Sequence, residues 1–267
     1  MAIIGFIGTG NMGGALALAA GRNTEGDRIL LFDKDKQTAL RISHGIPRSR
    51  VTERDELVET AHYIFIGVKP QMLQGLFDEI RPALKRRDEA PVLVSMAAGV
   101  SIQRIREYCG MDFPVVRIMP NVPVSVGAGL VMISRDDLVS DEEFSAVLRI
   151  LTPAGEILPI EERLIDAGSA VSGCGPAFAA MFIEALADGG VLAGLPRETA
   201  AILAAQTLFG TSVLLTKNRM HPGTLKDMVC SPAGTTIEGV RTLEEQGMRA
   251  AVMDAVLAAY EKTKKLG

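Results

Sequence analysis

The amino terminus constrains the fold more than any other segment. Residues 2–7 (AIIGFI) have the character of a buried strand, and residues 12–21 have the small side chains of a closely packed helix. The turn between them, residues 8–13 (GTGNMG), has the G-x-G-x-x-G spacing. In such a turn the first glycine makes the bend, the second lets a pyrophosphate approach the backbone, and the third lets helix and strand pack closely. The segment therefore predicts a βα unit that binds a dinucleotide.

An acidic residue supports this prediction. A second predicted strand, Arg28–Phe32, ends in Asp33, which lies twenty residues after Gly13. A carboxylate at this distance binds the ribose hydroxyls of a dinucleotide, while the free N–H groups of the helix start face the phosphates. We expect the following residues of this unit to contact the cofactor: Gly8, Gly10, Asn11, Met12 and Asp33.

This segment has two other interpretations. A signal peptide is disfavoured because the chain has no Lys or Arg before residue 22. The glycines also interrupt any membrane span. A glycine-rich turn that binds no ligand is the remaining alternative.

The first part of the chain alternates strands and helices. Helical patterns cover Ser101–Tyr108 and Ser140–Leu151. Further apolar, often β-branched runs predict strands at Tyr63–Val68, Val92–Ser95, Val115–Met119, Gly129–Ile133 and Glu156–Ile160. Such continuous runs are typical of a sheet that is buried on both faces. We predict an α/β fold whose N-terminal dinucleotide-binding domain, residues 1–162, is a doubly wound, Rossmann-like sheet.

The rest of the chain, residues 163–267, has a helical character. Eighteen alanines lie between Leu164 and Gly267. Helices are predicted at 175–193, 197–216, 222–229, 235–246 and 248–265. Alanine-rich helices need close packing, so we expect a dimerisation surface, with an ordinary monomeric helical core as the alternative.

Composition excludes several functions. The net charge is −4, with 4% aromatic residues and no Trp, so neither a basic surface nor base-stacking side chains point to nucleic acid. The three cysteines and three histidines have no metal-ligand spacing, so we expect neither a disulfide framework nor a metal site. A reducing cytoplasm is the expected compartment, with no membrane partner.

A turn near the carboxyl terminus carries a second predicted site. Residues 231–236 (SPAGTT) lead into a helix, and Thr235–Glu238 matches the capping box S/T-x-x-E. One interpretation ends there, with a well-capped helix. The other uses the N–H groups from about Gly234 to Ile237, with the hydroxyls of Ser231 and Thr236, to bind a small carboxylate.

This segment resembles the pyrroline-5-carboxylate reductase family, and the resemblance covers essentially the whole chain. LKDMVCSPAGTTIEGVRTLEE matches the family's L-x-D-x-V-x-S-P-x-G-x-T-I. The supporting motifs, in chain order, are FIGTGNM, Val68-Lys69-Pro70, Ala97-Ala98-Gly99, Pro120-Asn121-Val122-Pro123, Ser172-Gly173-Cys174-Gly175-Pro176 and Leu186-Ala187-Asp188-Gly189-Gly190.

The resemblance implies a reaction. The family reduces 1-pyrroline-5-carboxylate to L-proline with NADPH or NADH. Its fold is a Rossmann domain followed by a helical dimerisation domain, and its active site lies between one subunit and its partner. Dimers or rings of dimers are implied.

The resemblance also implies residue roles. Thr236 is the expected catalytic residue, with its hydroxyl near the ring nitrogen. The cofactor would also contact Val68, Lys69, Pro70, Ala97, Ala98, Gly99 and Asn121. The substrate would bind at Ser231, Ala233, Gly234, Thr235 and Thr236.

The cofactor preference rests on Asp33. A carboxylate here binds the ribose of NAD and repels a 2′-phosphate, so we expect NADH to be favoured. Lys34, Lys36 and Arg54 oppose this preference, and Arg54 stands about where the family often has Asn.

Two other functions are alternatives to this one. A hydroxy-acid dehydrogenase of the 6-phosphogluconate dehydrogenase-like group is disfavoured because residues 175–193 contain no Lys. A non-catalytic dinucleotide sensor would not need the Ser231 and Thr236 site. The presence of both residues weighs against this alternative.

Overall fold

A mostly parallel sheet dominates the first part of the molecule. The computed structural model describes residues 2–23 and 28–265. Within these residues the strands are β1 (Ile3–Ile7), β2 (Arg28–Phe32), β3 (Ser49–Val51), β4 (Tyr63–Ile66), β5 (Val92–Ser95), β6 (Val115–Pro120), β7 (Gly129–Arg135) and β8 (Gly155–Pro159). They form one sheet in the order β3-β2-β1-β4-β5-β6-β7-β8, and only the β6–β7 pair is antiparallel.

This order begins with the 3-2-1-4-5-6 arrangement of a Rossmann fold. In such a sheet the order of the strands reverses between β1 and β4, which are parallel, and ligands bind in the crevice beyond the carboxyl ends of these strands. The predicted doubly wound α/β class is confirmed. The short edge strand β3 was not predicted, because its sequence Ser-Arg-Val lacks a continuous apolar run.

Helices cover both faces of the sheet. They are α1 (Asn11–Ala20), α2 (Lys36–Ser43), α3 (Arg54–Thr60), α4 (Leu73–Lys85), α5 (Ile102–Cys109), α6 (Asp141–Leu151) and α7 (Ile165–Ser172). Alternate residues of β1 enter the two core layers: Ile4 and Phe6 pack on the α1 side, and Ile7 packs on the α3–α4 side. Burial on both faces explains why the strands are continuously apolar.

The remaining described elements are helices. They are α8 (Gly175–Leu192), α9 (Arg197–Asn218), α10 (Pro222–Val229), α11 (Thr235–Glu245) and α12 (Met248–Lys264). All five occur where the sequence predicts helices, with ends that differ by at most two residues. The buried apolar contact between α8 and α9 is made by Ala187, Ala200 and Ala204, whose small side chains allow close approach.

The chain divides into two compact units. One comprises Met1–Gly173 with Tyr260–Gly267, and the other is Cys174–Ala259. The division therefore follows α7, whereas the domain boundary predicted from the sequence, between residues 162 and 163, precedes it. α7 groups with the sheet because Ile165 packs against Met119 and Met132.

The helical unit exposes large apolar side chains. Leu192 is 91% exposed and Phe209 is 61% exposed in the single chain. By length and composition alone, the stretches Glu162–Leu192 and Arg197–Asn218 are apolar enough to cross a membrane, and 11% of the most apolar window of each is buried. The apolar side chains of α9 are distributed over all faces of the helix and do not form one stripe. This distribution is expected for a helix whose packing partners lie outside one chain.

Candidate active site

The glycine-rich turn after β1 has the geometry of a phosphate-binding loop. Gly8 has a φ of +87°, which other residues rarely adopt, and its N–H donates to the Phe32 carbonyl at 2.8 Å. A Cβ on Gly13 would lie 2.0 Å from the Gly8 carbonyl oxygen, so this position excludes a side chain. These two glycines are therefore required by the fold itself.

Gly10 differs from both neighbours. It is the N-cap of α1, with an ordinary φ of −61°, and a Cβ built there would meet no atom within 4 Å. Among the described residues, no side chain caps the helix start. The first helical N–H groups have no intrahelical acceptors. The protein's own packing does not require this glycine, whereas a ligand that approaches the backbone would.

Asp33 has a structural role in addition to the predicted one. Its Oδ2 accepts the backbone N–H of Thr9 at 2.7 Å and the Thr9 hydroxyl at 3.3 Å, and its Oδ1 accepts the Asp35 N–H at 3.0 Å. The carboxylate thus fixes the glycine-rich turn against the end of β2. Since an ionised carboxylate has about four acceptor sites, it can still accept from a ribose hydroxyl.

A cavity of about 360 Å³ opens at the carboxyl ends of β1, β2 and β4. Its walls include some of the predicted cofactor residues: Gly8, Gly10, Asp33, Val68 and Lys69. The other predicted cofactor residues, which do not line it, are Asn11, Met12, Pro70, Ala97, Ala98, Gly99 and Asn121.

One wall of this cavity comes from residues that the sequence motifs did not predict. Gln71, Gly75 and Glu79 lie at spacings of four on and just before α4, with Met72 and Leu76 beside them. A Cβ on Gly75 would meet nothing within 4 Å. Helical periodicity after the Val68-Lys69-Pro70 motif was the signal that could have identified this face.

Charges of both signs line the cavity. Asp33 and Glu79 are acidic, and Lys34 and Lys69 are basic. Arg54, which begins α3, forms an ion pair with Glu79 and contacts Asp55 at 3.2 Å. Its guanidinium is therefore engaged by carboxylates.

The loop after β5 is firmly held. Gly99 has a φ of +72°, and Ala97 is buried. Ala98 packs against the cluster formed by Met119, Met132 and Ile165. The three small residues place backbone, rather than bulky side chains, at the carboxyl end of the strand.

Asn121 holds the β6–β7 connection together. Its Oδ1 accepts the Leu130 N–H at 2.8 Å, and its Nδ2 donates to the Ser172 carbonyl at 3.1 Å. Both ends of the amide are used within the chain, so this residue acts in the structure as a clamp between strands and α7.

In the helical unit the predicted substrate residues form a tight turn. Ala233 has a φ of +55°, which is uncommon for alanine, and the Gly234 N–H donates to the Ser231 carbonyl at 3.1 Å. A Cβ on Gly234 would lie 2.2 Å from Ser231 Oγ. The turn therefore brings the Ser231 hydroxyl against the start of α11.

The predicted capping box is wrong. Gly234, not Thr235, is the N-cap of α11, and no side chain caps the helix. The predicted availability of the Gly234 N–H is also wrong, because that group donates to Ser231. The N–H groups of Thr235, Thr236 and Ile237 remain at the exposed helix start, where they have no intrahelical acceptors.

His221 is a capping residue and belongs to neither of the predicted sites. It is the N-cap of α10, and its Nδ1 accepts the Gly223 N–H at 3.1 Å. Cys174 and Cys230 are free thiols near the predicted motifs. Among the described residues, no group of three or more His, Cys, Asp or Glu side chains is arranged to hold a metal ion.

Comparison with known proteins gives matches in both parts of the chain. Residues 162–266 match a family model described as pyrroline-5-carboxylate reductase dimerisation. Residues 3–99 match one described as NADP oxidoreductase, coenzyme F420-dependent.

Full-length relatives extend this similarity. The chain is 41% identical to pyrroline-5-carboxylate reductase of Escherichia coli, over 98% of this chain and 97% of the relative. It is 36% identical to the Arabidopsis thaliana enzyme, over 98% and 95%. The crystal structure of Plasmodium falciparum pyrroline carboxylate reductase with NADP bound superimposes with a TM-score of 0.87 at 31% identity, over 100% of this chain and 98% of that one.

Proposed function

This chain belongs to the pyrroline-5-carboxylate reductase family, and from that premise we propose how its residues carry out the reaction. The enzyme reduces 1-pyrroline-5-carboxylate to L-proline, the last step of proline biosynthesis. The observation that carries the residue assignment is the presence, in one chain, of a glycine turn open to a ligand at Gly10 and an uncapped helix start at Gly234.

We assign the pyrophosphate of the nicotinamide cofactor to the start of α1. The turn from Gly8 to Gly10 and the N–H groups of Asn11 and Met12 would hold it. The open space at Gly10 fits this group, because a side chain there would occupy the position of the phosphates. When bound, the cofactor supplies the hydride.

The nicotinamide would lie along the loops after β4 and β5. Val68, Lys69 and Pro70 would contact it from the first loop, and Ala97, Ala98 and Gly99 from the second. Lys69 precedes Pro70 at the start of a short 3₁₀ helix. We expect its backbone, more than its amine, to contact the cofactor. For Asn121 we propose an indirect contribution, since its amide bonds hold the adjacent strand ends.

We propose that NADH is the preferred donor and NADPH the alternative. Asp33 and Glu79 both face the cavity in which the adenosine would lie. A ribose hydroxyl can donate to Asp33, whereas a 2′-phosphate would meet two carboxylates. Arg54, the cation expected to offset them, is already engaged by Glu79 and Asp55. A tenfold preference for NADPH in kcat/KM would contradict this assignment.

The substrate carboxylate would bind at the start of α11. The N–H groups of Thr235 and Thr236 and the hydroxyl of Ser231 would be its donors, and the turn at Ala233 and Gly234 places them together. A helix terminus contributes about 0.3–1 kcal/mol to binding an anion, and up to about 2 kcal/mol where it is partly buried.

Thr236 is the proposed catalytic residue. Hydride forms a new C–H bond at the imine carbon, the π electrons of the C=N bond move to nitrogen, and the protonated nitrogen becomes the ring amine. A threonine hydroxyl is a poor acid at neutral pH, so Thr236 would hydrogen-bond to the nitrogen and orient the ring. This chain therefore contributes orientation and an anion site.

The test is steady-state oxidation of NADH and NADPH by the purified protein with 1-pyrroline-5-carboxylate. Thr236→Ala should lower kcat by about 100-fold or more, the low end for acid–base groups. Thr236→Ser, which keeps the hydroxyl, is the matched control and should retain most of the turnover. Near-wild-type turnover in the alanine variant would remove Thr236 from the mechanism.

We further propose a cytoplasmic enzyme that works as a dimer or a ring of dimers. The match of residues 162–266 to a dimerisation domain supports self-association. We attribute the exposed apolar residues of α8 and α9 to this contact and not to a membrane. No nucleic-acid partner is proposed, because the net charge is −4.

A further inference from the structure

A buried arginine in the sheet has two acidic partners. Arg117 lies in β6, is 3% exposed, and directs its guanidinium at Glu162 (3.4 Å) and Asp166 (2.5 Å). Its Nε has no hydrogen-bond partner among the described residues. Burying a cation in this way is costly, and a well-packed apolar residue often gives equal or greater stability. Stability alone therefore does not explain this residue.

The acidic partners connect β6 to a functional loop. Glu162 Oε1 also accepts the backbone N–H of Ile102, the first residue of α5, at 2.6 Å. The segment just before Ile102 contains the loop 97–99, to which we assign the nicotinamide. Asp166 lies in the first turn of α7, next to Ile165, and Ala98 packs against the apolar cluster that Ile165 forms with Met119 and Met132.

The loop is thus held from two sides. Glu162 fixes the backbone at Ile102, three residues beyond the loop, and the cluster that includes Ile165 supports its middle at Ala98. Arg117 holds both Glu162 and Asp166, so a single buried guanidinium sets the position of each support. The contact between Glu162 and the Ile102 N–H can be removed by mutating Glu162, which leaves residues 97–99 unchanged.

We propose that Arg117, Glu162 and Asp166 are positioning residues for hydride transfer, which set the loop 97–99 against the nicotinamide ring. The inference rests on the proposed function, because it uses the nicotinamide placement given there. Hydride transfer depends steeply on the donor–acceptor geometry, and a displacement of about 1 Å can cost about 100-fold in rate. A tether at one end of the loop should therefore affect kcat more than substrate binding.

The test compares Glu162→Ala with Glu162→Gln and with a neighbouring control. The alanine variant removes the acceptor of the Ile102 N–H, whereas the glutamine oxygen can still accept it. Glu161→Ala is the matched control, because Glu161 lies one residue earlier and pairs only with the exposed Arg163 among the described contacts. Each variant is assayed for kcat, KM, thermal midpoint and the deuterium isotope effect with NADH labelled at the transferred position.

We expect Glu162→Ala to lower kcat about tenfold or more, with a smaller change in KM and a larger isotope effect, because hydride transfer becomes slower. Glu162→Gln should restore most of the turnover, and Glu161→Ala should behave as wild type. If Glu162→Ala does not fold, Glu162→Asp, which keeps the charge on a shorter side chain, should show the same loss in smaller measure.

Three results would overturn the inference. The first is a wild-type kcat and isotope effect in the Glu162→Ala variant, or in Glu162→Asp where that variant carries the test. The second is a lower thermal midpoint with unchanged kcat, which would show a purely structural role. The third is a wild-type protein that oxidises neither cofactor, which would also overturn the proposed function, whereas the first two would leave it intact.

Discussion

Replacing Gly10 by alanine separates what the fold requires from what the cofactor requires. A Cβ at Gly10 meets nothing within 4 Å, and the φ of −61° suits alanine. Alanine restricts the unfolded chain, which stabilises by about 0.4–1 kcal/mol. It is also a poorer N-cap than glycine by about 0.5–1 kcal/mol. These effects oppose each other, so the free energy of unfolding should change by less than about 1 kcal/mol.

Cofactor binding should change much more. The added methyl group would occupy the space through which the pyrophosphate approaches the helix N–H groups. Loss of one hydrogen bond to a charged group costs about 1.5–3 kcal/mol. Since 1.4 kcal/mol is a factor of ten, the KM for NADH should rise about 10- to 100-fold. Thermal unfolding without cofactor and steady-state kinetics measure the two effects separately.

Gly13→Ala provides the contrast. Its Cβ would lie 2.0 Å from the Gly8 carbonyl oxygen, so the turn must open. We expect about 1–3 kcal/mol of destabilisation, comparable to that of an overpacked core. The reasoning is refuted if Gly10→Ala leaves the KM for NADH within twofold of wild type, or if it lowers the thermal midpoint as much as Gly13→Ala does.

Three further predictions concern other positions. Gly234→Ala would place a Cβ 2.2 Å from Ser231 Oγ, so the KM for the substrate should rise about tenfold, the effect of one lost hydrogen bond; an unchanged KM would place the carboxylate elsewhere. Glu79→Gln should release Arg54 and raise the NADPH-to-NADH ratio of kcat/KM severalfold, and adding Arg54→Ala should abolish the gain. Burial raises the pKa of the Cys109 thiol to about 11, so only about one thiol in a thousand is ionised at pH 8. Iodoacetamide should therefore label this cysteine in the unfolded chain but not in the folded one, as mass spectrometry can determine.

The regular parts of the fold were predictable because their signals are local. The G-x-G-x-x-G spacing after β1 predicts that Gly8 and Gly13 must be glycine. The contacts at these two positions explain why. The helices of the second unit begin and end near Gly194, Pro222 and Gly247. Glycine and proline are residue types that commonly end or begin helices. The identities of Ser231 and Thr236 are also a property of the sequence.

The details of the candidate site were not predictable in the same way. Thr235–Glu238 fits a capping box as well as any sequence can, yet the turn at Ala233 makes Gly234 the N-cap. Which residue caps a helix depends on the backbone conformation that precedes it, and this conformation is not specified by the four residues of the motif.

The sequence by itself determined the alternation of strands and helices in the first part of the chain, the five helices of the second part and the glycine-rich turn after β1, since each depends on residues close together in the chain. Only the tertiary structure decided how distant residues combine. It placed Thr9 against Asp33, Glu79 against Arg54, and Glu162 against the N–H of Ile102. These contacts join residues that are 24 to 60 positions apart. They arise because the parallel sheet brings the ends of separate strands and helices together, and no local pattern in the sequence records that proximity.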